Sequence, residues 1–179
     1  AAVSAPQEGV EPTFGPDGLI YPGTCRDQNH QQPDAALRLN MRKACDFLGG
    51  VNLGFNETGP ASAGRQTIYA DDLINTVGDI ILSRRQMGTS YHLSVVLDDA
   101  DQAISHVIRG QDLFEATKIH VLLQNLLKLP TPDYHHHALI RDENGKRLAK
   151  RDDARAIAKY RDDGVTPADI RIMLGLRPV

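Results

Sequence analysis

The segment that decides the fold is YHLSVVLDDADQAISHVIRGQDLFEATKIHVLLQNLLKLPTP, residues 91–132. It opens with two short runs rich in Val, Ile and Leu, at 91–99 and 103–110, and such runs are typical of buried strands. Residues 111–129 then predict an amphipathic helix that Pro130 ends. The apolar residues that share one face of this helix are Leu113, Ala116, Ile119, Leu123 and Leu126.

Shorter elements flank this segment on both sides. GDIILSRR (78–85) and HHHALIRD (135–142) predict two more strands, and the ENG that follows the second predicts a turn. DAALRLN (34–40) alternates weakly and is a candidate for one further strand. Residues 41–66 are interrupted by glycine pairs and polar turns, so they predict no regular element of useful length.

The tail after the last predicted strand is helical. DDARAIAKYRDDG (152–164) and TPADIRIMLGL (166–176) predict two short helices. The second has a capping-box-like start, with Thr166 at the N-cap, Pro167 at the first helical position and Asp169 at the third. Strands and helices that alternate in this way predict an α/β fold with a partly parallel sheet.

The composition excludes several classes of protein. Of the 179 residues, 41% are hydrophobic and 24% are charged, which is ordinary for a globular domain. Trp is absent and the net charge is -3, so the sequence offers neither a stacking platform nor an overall field for nucleic acid. The two cysteines, Cys25 and Cys45, are too few for a disulfide framework and fit a reducing cytoplasm. No apolar run is long enough to indicate a membrane partner.

Arg109 is the first candidate for chemistry. Arg109 and Gly110 end a predicted strand, and ligands of open α/β sheets bind beyond the carboxyl ends of the strands. A guanidinium at that place can grip a carboxylate through two parallel hydrogen bonds. The alternative is a structural arginine that caps a neighbouring strand or pairs with Asp98 or Asp99.

The second candidate is the basic loop ENGKRLAKRDD, residues 143–153. Its cations are Lys146, Arg147, Lys150 and Arg151. A loop with spaced cations can hold a polyphosphate and follow its charge as a bond breaks. The alternative is a solvated basic face, which is the commoner role of an isolated charge cluster.

The order of these motifs resembles the catalytic domain of glutamyl-tRNA synthetases, which are class I aminoacyl-tRNA synthetases. The resemblance lies in residues 91–132, in HHHALI (135–140) and in GKRLAKRDD (145–153), and it extends from about Ile68 to the end of the chain. It implies that the chain forms the second half of a Rossmann-like catalytic domain, with a loop-rich insertion before it and a short helical tail.

The resemblance also implies roles for single residues. Tyr91 and Arg109 match family positions that bind glutamate, and Asp112 and His120 match a motif near the nucleotide. The alternatives are that Tyr91 is an ordinary strand aromatic and that Asp112 only starts a helix.

The segment RLAKR, residues 147–151, resembles the Lys-Leu-Ser-Lys-Arg loop with which the family clamps the phosphates of ATP. The resemblance makes Arg147, Leu148, Ala149, Lys150 and Arg151 the ATP-binding residues, with Lys150 facing the phosphates. The chain departs from the pattern twice. Arg147 replaces the first Lys and keeps its charge, whereas Ala149 replaces the Ser and loses a hydroxyl.

YPGTCR (21–26) narrows the resemblance to one branch of the family, the glutamyl-Q tRNA(Asp) synthetases. In that branch Tyr21 and Cys25 would join an upstream Cys-x-Cys pair around Zn²⁺, although Tyr is an uncommon zinc ligand. The end of the chain soon after the basic loop also resembles this branch. The implied reaction forms glutamyl-adenylate from glutamate and ATP with Mg²⁺, and transfers glutamate to the queuosine base of tRNA(Asp).

The resemblance implies an organisation into three parts. These are an insertion with half of a zinc motif (1–65), the second half of the catalytic domain (66–145), and the phosphate loop with the tail (146–179). The opening AAVSAPQEGVEPTFGPDG contains no Met and none of the family's first-half motifs. We therefore expect a monomeric fragment that by itself binds ATP and glutamate poorly and is inactive.

Other interpretations stay open at this point. One rival is a fragment of a glutamyl-tRNA synthetase, a type expected to need its tRNA to activate glutamate, and another is a non-catalytic paralogue that binds nucleotide or tRNA. His135 and His137 lie opposite His136 by strand alternation, which disfavours a joint metal site, and Cys45 fits a buried thiol. Candidate phosphate contacts to tRNA, which are equally compatible with solvated cations, are Arg84, Arg85, Lys146, Arg147 and Arg155.

Overall fold

The computed structural model describes residues 13–28, 35–50, 52–84, 87–142, 144–148 and 156–177. The predictions for Ala149, Lys150 and Arg151 therefore lie outside the described residues. The chain divides into two compact units, residues 1–137 and 138–179. No helix of the described residues is long and apolar enough to cross a bilayer.

The described residues of the first unit form eight strands and four helices. Its strands are β1 (Phe14–Gly15), β2 (Gly18–Leu19), β3 (Leu37–Arg38), β4 (Leu53–Glu57), β5 (Gly64–Ile68), β6 (Ile81–Ser83), β7 (His106–Gly110) and β8 (Asp133–His137). Its helices are α1 (Met41–Phe47), α2 (Ala70–Asp72), α3 (Tyr91–Asp101) and α4 (Thr117–Leu127). A π-helical turn (Leu73–Val77) continues α2, and a 3-10 turn (Gln111–Leu113) precedes α4.

The central sheet has four strands in the order β5-β4-β8-β7. β8 runs parallel to both β4 and β7, whereas β5 is antiparallel to β4. The predicted α/β fold with a partly parallel sheet is therefore confirmed. The carboxyl ends of β4, β8 and β7 lie along one edge, which is where the side chains of Glu57, His136 and Arg109 come together.

The strand predicted for residues 91–99 is wrong, because this run forms helix α3. The hydroxyl of Ser90 accepts a hydrogen bond from the backbone N–H of Leu93 and so caps the helix. The side chains buried from this helix are His92 and Val96, which are four residues apart, as on one face of a helix. The cap and this spacing outweigh the strand preference of the valines.

The helix predicted for residues 111–129 is confirmed in its central part. α4 spans Thr117–Leu127, and Lys128 leaves it in the left-handed conformation, with a φ of 56°, before Pro130. The helix packs against both β4 and α3. Because it has neighbours on two sides, Val121 and Leu122 are also fully buried, outside the single face that the sequence predicts.

The glycine-rich region 41–66 is more regular than predicted. It contains helix α1, which the side chain of Asn40 caps, and the hairpin β4–β5. Leu53, Phe55 and Glu57 are the buried positions of β4, so the strand does alternate. A carboxylate at the third buried position hides this period in the sequence. The predicted boundary at residue 65 falls inside β5.

The other four strand predictions are correct only in part. Residues 103–110 contain β7, which begins at His106, and residues 34–40 contain the two-residue strand β3. Of residues 78–85, only β6 is a strand, and it pairs with β3 in a separate two-stranded sheet. Of residues 135–142, the strand β8 ends at His137. The buried thiol predicted for Cys45 is confirmed, and burial raises its pKa.

The second unit contains helices α5 (Ile157–Asp162) and α6 (Pro167–Met173). The capping box of α6 is confirmed, since the Thr166 hydroxyl and the Asp169 carboxylate each accept from the other's backbone N–H. The predicted turn is also present: a carboxylate oxygen of Asp142 accepts from the backbone of Asn144 and of Lys146.

Truncation of one buried leucine of α4 tests this packing. We expect Leu122→Ala to lower the free energy of unfolding by about 2 to 5 kcal/mol, because a fully buried leucine leaves a cavity. Leu127, at the end of the same helix, is 44% exposed, so Leu127→Ala is the matched control with an expected loss below about 1 kcal/mol. Urea unfolding followed by circular dichroism measures both, and equal losses would contradict this account of the core.

Candidate functional site

Arg109 lies at the carboxyl edge of the sheet and donates to acceptors on three elements. Its Nε donates to Nε2 of His136 at 3.1 Å, and its Nη1 donates to Nδ1 of His120 at 3.0 Å. Its Nη2 donates to Oγ1 of Thr117 at 2.7 Å and to the carbonyl of Leu113 at 3.4 Å. Four of the five guanidinium N–H groups are thus held by the protein, and the weakest contact is the one to Leu113.

The acceptors around Arg109 are neutral. Burial lowers the pKa of Arg109, and the charges of Tyr134, Tyr91 and Asp99 partly oppose this effect. The guanidinium nevertheless stays protonated at neutral pH, because an unperturbed arginine has a pKa above about 12. These contacts of Arg109 go to imidazoles, a hydroxyl and a carbonyl, so the structure does not support the alternative in which it pairs directly with Asp98 or Asp99.

Two chains of hydrogen-bonded imidazoles, called relays below, connect Arg109 to carboxylates. On one side, His136 Nδ1 lies 2.5 Å from Oε2 of Glu57. On the other side, His120 Nε2 lies 3.0 Å from Nδ1 of His92, whose Nε2 lies 3.1 Å from Oδ1 of Asp17. Each relay therefore runs from the partly buried cation of Arg109 through one or two imidazoles to one carboxylate.

Burial and charge set the protonation of these relays. Burial, Arg109 and the other histidines lower the pKa of His120 to about 3, so it is neutral at physiological pH. Burial also lowers the pKa of His136 despite the opposing effect of Glu57. For Glu57, burial acts to raise the pKa, but hydrogen bonds from His136 and Gly59 outweigh it and lower the pKa overall. The Glu57 carboxylate is therefore ionised, and the imidazoles of His120 and His136 are neutral.

Tyr91, at the first residue of α3, lies beside this cluster. Its ring centroid is 5.5 Å from that of His92 and 5.9 Å from that of His120, and its side chain raises the pKa of Arg109 by hydrogen bonding. Tyr91 is 58% exposed. It lines a cleft of about 190 Å³ together with Asp17, Ile81, Arg84, Met87, Thr89, Ser90 and His92. The structure thus brings together Tyr91 and Arg109, the two residues predicted for glutamate.

The predicted zinc residues are also close together. The hydroxyl of Tyr21 accepts a hydrogen bond from the backbone N–H of Cys25 at 2.6 Å, and the guanidinium of Arg38 lies over the Tyr21 ring. No group of three or more His, Cys, Asp or Glu side chains that could hold a metal occurs among the described residues. Tyr21 and Cys25 supply at most two of the four ligands that structural zinc needs, so they do not form a zinc site by themselves.

The residues predicted near ATP are placed in part. Asp112 is exposed on the 3-10 turn before α4. Arg147 and Leu148 belong to the second unit. There the backbone of Arg147 forms an isolated antiparallel β-bridge with that of Arg141, and the backbone N–H of Leu148 donates to the carbonyl of Ile140.

The residues that the sequence did not predict for the Arg109 site are Glu57, His92, Asp17 and His136. They come from separate segments of the chain. Strand alternation could have indicated two of them, because Glu57 in β4 and His136 in β8 both stand at inward positions. The sequence carries no comparable signal for His92 and Asp17.

A family model described as "tRNA synthetases class I (E and Q), catalytic domain" matches residues 60–179. The chain belongs to the class I (E and Q) tRNA synthetases. The match covers more than half of the chain, and it includes Tyr91, Arg109 and the basic loop. The family predicted from the motifs is confirmed.

Relatives within the class I (E and Q) tRNA synthetases point to one branch. A glutamyl-Q tRNA(Asp) synthetase of Rhodobacter capsulatus is 58% identical over 175 residues, which are 98% of this chain and 62% of that protein. One of Burkholderia cenocepacia is 38% identical over 79% of this chain and 44% of that protein. A crystal structure of glutamate-tRNA synthetase from Elizabethkingia anophelis has 27% identity and a TM-score of 0.46, over 57% of this chain and 20% of that one. The chain thus spans less than two thirds of the length of these relatives.

The neutral state of His120 predicts that acid weakens the fold. Between its folded pKa of about 3 and its ordinary value of 6.5, the unfolded chain binds a proton that the folded chain does not. Stability is therefore full above pH 6.5 and falls as the pH drops, by about 1.4 kcal/mol per pH unit for this group. Unfolding with urea at pH 7 and pH 4 should give about 3 kcal/mol less stability at the lower pH from His120 alone.

A substitution isolates the contribution of His120 to this pH dependence. Glutamine has both an acceptor and a donor and does not titrate, so His120→Gln should remove about 3 kcal/mol of the difference between pH 7 and pH 4. His137→Gln, at an exposed position on β8, is the control that should leave the difference unchanged. The same pH dependence in wild type and His120→Gln would show that His120 does not stay neutral in the fold.

Proposed function

We propose that the chain is part of a glutamyl-Q tRNA(Asp) synthetase, an ATP-dependent ligase that activates glutamate and transfers it to the queuosine base of tRNA(Asp). The observation that carries the proposal is the 58% identity with the Rhodobacter capsulatus protein of that name over 98% of this chain. The position of Arg109 and Tyr91 at the carboxyl edge of a parallel sheet supports it, because α/β enzymes bind substrates there. We place the enzyme in the cytoplasm as a monomer.

Glutamate would bind with its side-chain carboxylate on Arg109 and against the hydroxyl of Tyr91. A bound carboxylate would take over two N–H groups of the guanidinium: the one that the Tyr91 side chain engages and the one in the weak 3.4 Å contact to Leu113. The two together would form the fork that a carboxylate fits. Glutamine would present an amide N–H₂ to this fork, two donors against donors, so the site would select glutamate.

The phosphates of ATP would be held by the loop of Arg147, Leu148, Ala149, Lys150 and Arg151. This assignment rests on the sequence pattern alone, as does a place for Asp112 near the nucleotide. Mg²⁺ would enter on the phosphates of ATP, because the described residues offer no carboxylate cage for it. Tyr21 and Cys25 would supply two of the four ligands of a structural Zn²⁺, and the upstream Cys-x-Cys pair of this branch would supply the others.

The proposed reaction has two steps and needs no enzyme nucleophile. With the side chain of glutamate on Arg109, an oxygen of its α-carboxylate attacks the α-phosphorus of ATP, pyrophosphate leaves, and glutamyl-adenylate forms. Lys150 offsets the charge that develops on the phosphates. A hydroxyl of queuosine then attacks the acyl carbon and AMP leaves. Positioning and electrostatics supply the catalysis in both steps.

Transfer of labelled glutamate tests the proposed acceptor. The complete product of the gene that encodes this chain should label tRNA(Asp) that contains queuosine. The matched control is the same tRNA(Asp) with unmodified guanine at that position, which should stay unlabelled. Labelling of tRNA(Glu) instead would replace the proposal by a glutamyl-tRNA synthetase, and no transfer to any tRNA would favour a non-catalytic paralogue.

A further inference from the structure

A row of three side chains crosses the carboxyl edge of the parallel strands. Glu57 is the last residue of β4, His136 lies on β8, and Arg109 on β7 is the direct register partner of His136. The row runs from Glu57 Oε2 to His136 Nδ1 over 2.5 Å, and from His136 Nε2 to Arg109 Nε over 3.1 Å. Glu57 and His136 are 2% and 1% exposed, so water does not compete for these contacts.

Arg109 dictates the direction of every hydrogen bond in this row. A guanidinium only donates, so His136 Nε2 must accept, and the ring proton of His136 must lie on Nδ1. That proton faces Oε2 of Glu57. The other oxygen, Oε1, accepts the backbone N–H groups of His136 and Gly59 at 2.9 and 2.6 Å. The ionised carboxylate thus accepts three N–H groups at once.

We propose that Glu57 is a positioning residue for glutamate binding, because its carboxylate holds His136 in the tautomer that orients Arg109. The tautomer that carries its proton on Nε2 could donate to Oγ1 of Thr117, 3.2 Å away, but it would also present that N–H to the Nε–H of Arg109. Two donors 3.1 Å apart repel each other, so the guanidinium would turn away from its present place. The consequence for glutamate rests on the proposed function, whereas the tautomer itself does not.

The substitution Glu57→Gln switches the tautomer with little change of shape. The amide oxygen can take the two backbone N–H groups now bound by Oε1, so the NH₂ group stands where Oε2 was. That NH₂ donates to Nδ1 of His136, which must then carry its proton on Nε2. We expect the KM for glutamate to rise about 10- to 100-fold with a smaller change in kcat, as for other residues that orient a binding group.

Nitrogen NMR of the histidine side chains reads the tautomer directly. In the ¹⁵N-labelled chain, Nδ1 of His136 should have the chemical shift of a protonated nitrogen and Nε2 that of an unprotonated one. Glu57→Gln should reverse the two. His135→Gln, on the opposite face of β8, is the control that should leave the His136 pattern and the KM for glutamate unchanged. The wild-type spectrum alone shows which ring nitrogen of His136 carries the proton, so the proposal can be tested even if Glu57→Gln fails to fold.

The outcomes separate this proposal from the proposed function. A proton on Nε2 of His136 in the wild type, or a Glu57→Gln variant with an unchanged tautomer, overturns the proposal. It is also overturned by a variant whose tautomer switches while an active enzyme keeps its KM for glutamate. If the wild type uses no glutamate at all, the proposed function fails, and the two NMR spectra still show whether Glu57 sets the tautomer of His136.

Discussion

Arg109→Lys is expected to lower kcat/KM for glutamate in ATP–pyrophosphate exchange about 100-fold or more. Lysine keeps the charge but is a single ammonium, so it cannot form the planar fork that a carboxylate fits. It also leaves acceptors on His120, His136 and Thr117 without their donor. Truncation of a buried, hydrogen-bonded charge costs about 2 to 5 kcal/mol, which corresponds to this loss.

The effect of Arg109→Lys should be specific in two respects. The preference for glutamate over glutamine should narrow, because a flexible ammonium accepts an amide oxygen as well as a carboxylate oxygen. Arg65→Lys, at an exposed position of β5, should keep kcat/KM within about twofold of the wild type. If Arg109→Lys retains kcat/KM within about threefold while its melting curve is normal, Arg109 does not hold the substrate.

Lys150→Ala is expected to reduce the rate of ATP–pyrophosphate exchange about 100- to 1000-fold. The removal of one group that stabilises developing charge in an active site has this size of effect on kcat. The KM for glutamate should change little, because Lys150 is proposed to contact the phosphates and not the amino acid. Steady-state exchange with glutamate and ATP varied in turn separates the two constants.

Lys159 provides the comparison for Lys150. It is an exposed lysine of α5 that pairs with Asp163, and Lys159→Ala should leave the exchange rate within about twofold. If Lys150→Ala and Lys159→Ala both change the exchange rate equally and little, the basic loop is a solvated surface and does not bind the phosphates.

The sequence was most informative where one physical signal dominated. The 3.6-residue period of α4 and the capping box of α6 both predicted helices that the structure contains. The family followed from motifs in a fixed order. Tyr91 and Arg109 could be paired in advance because both belonged to that pattern, although Tyr91 was placed on a strand that is in fact a helix.

The sequence was least informative where tertiary contacts decide the structure. Tyr91, Val95 and Val96 in α3 favour a strand locally, whereas the Ser90 cap and the packing on α4 favour the helix. The relays around Arg109 join residues as distant as Asp17 and His92, which no spacing rule connects. Glu57 looked like a turn residue because a buried carboxylate is rare unless partners satisfy it, and its partners lie on another strand.

Glutamate-dependent ATP–pyrophosphate exchange in the absence of tRNA tests the central claim most directly. The complete gene product should exchange labelled pyrophosphate into ATP when glutamate is present, and should not do so with glutamine. This result would show that the enzyme activates glutamate independently of the acceptor. Exchange that appears only after tRNA is added, or that glutamine supports equally well, would contradict the assignment to a glutamyl-Q tRNA(Asp) synthetase.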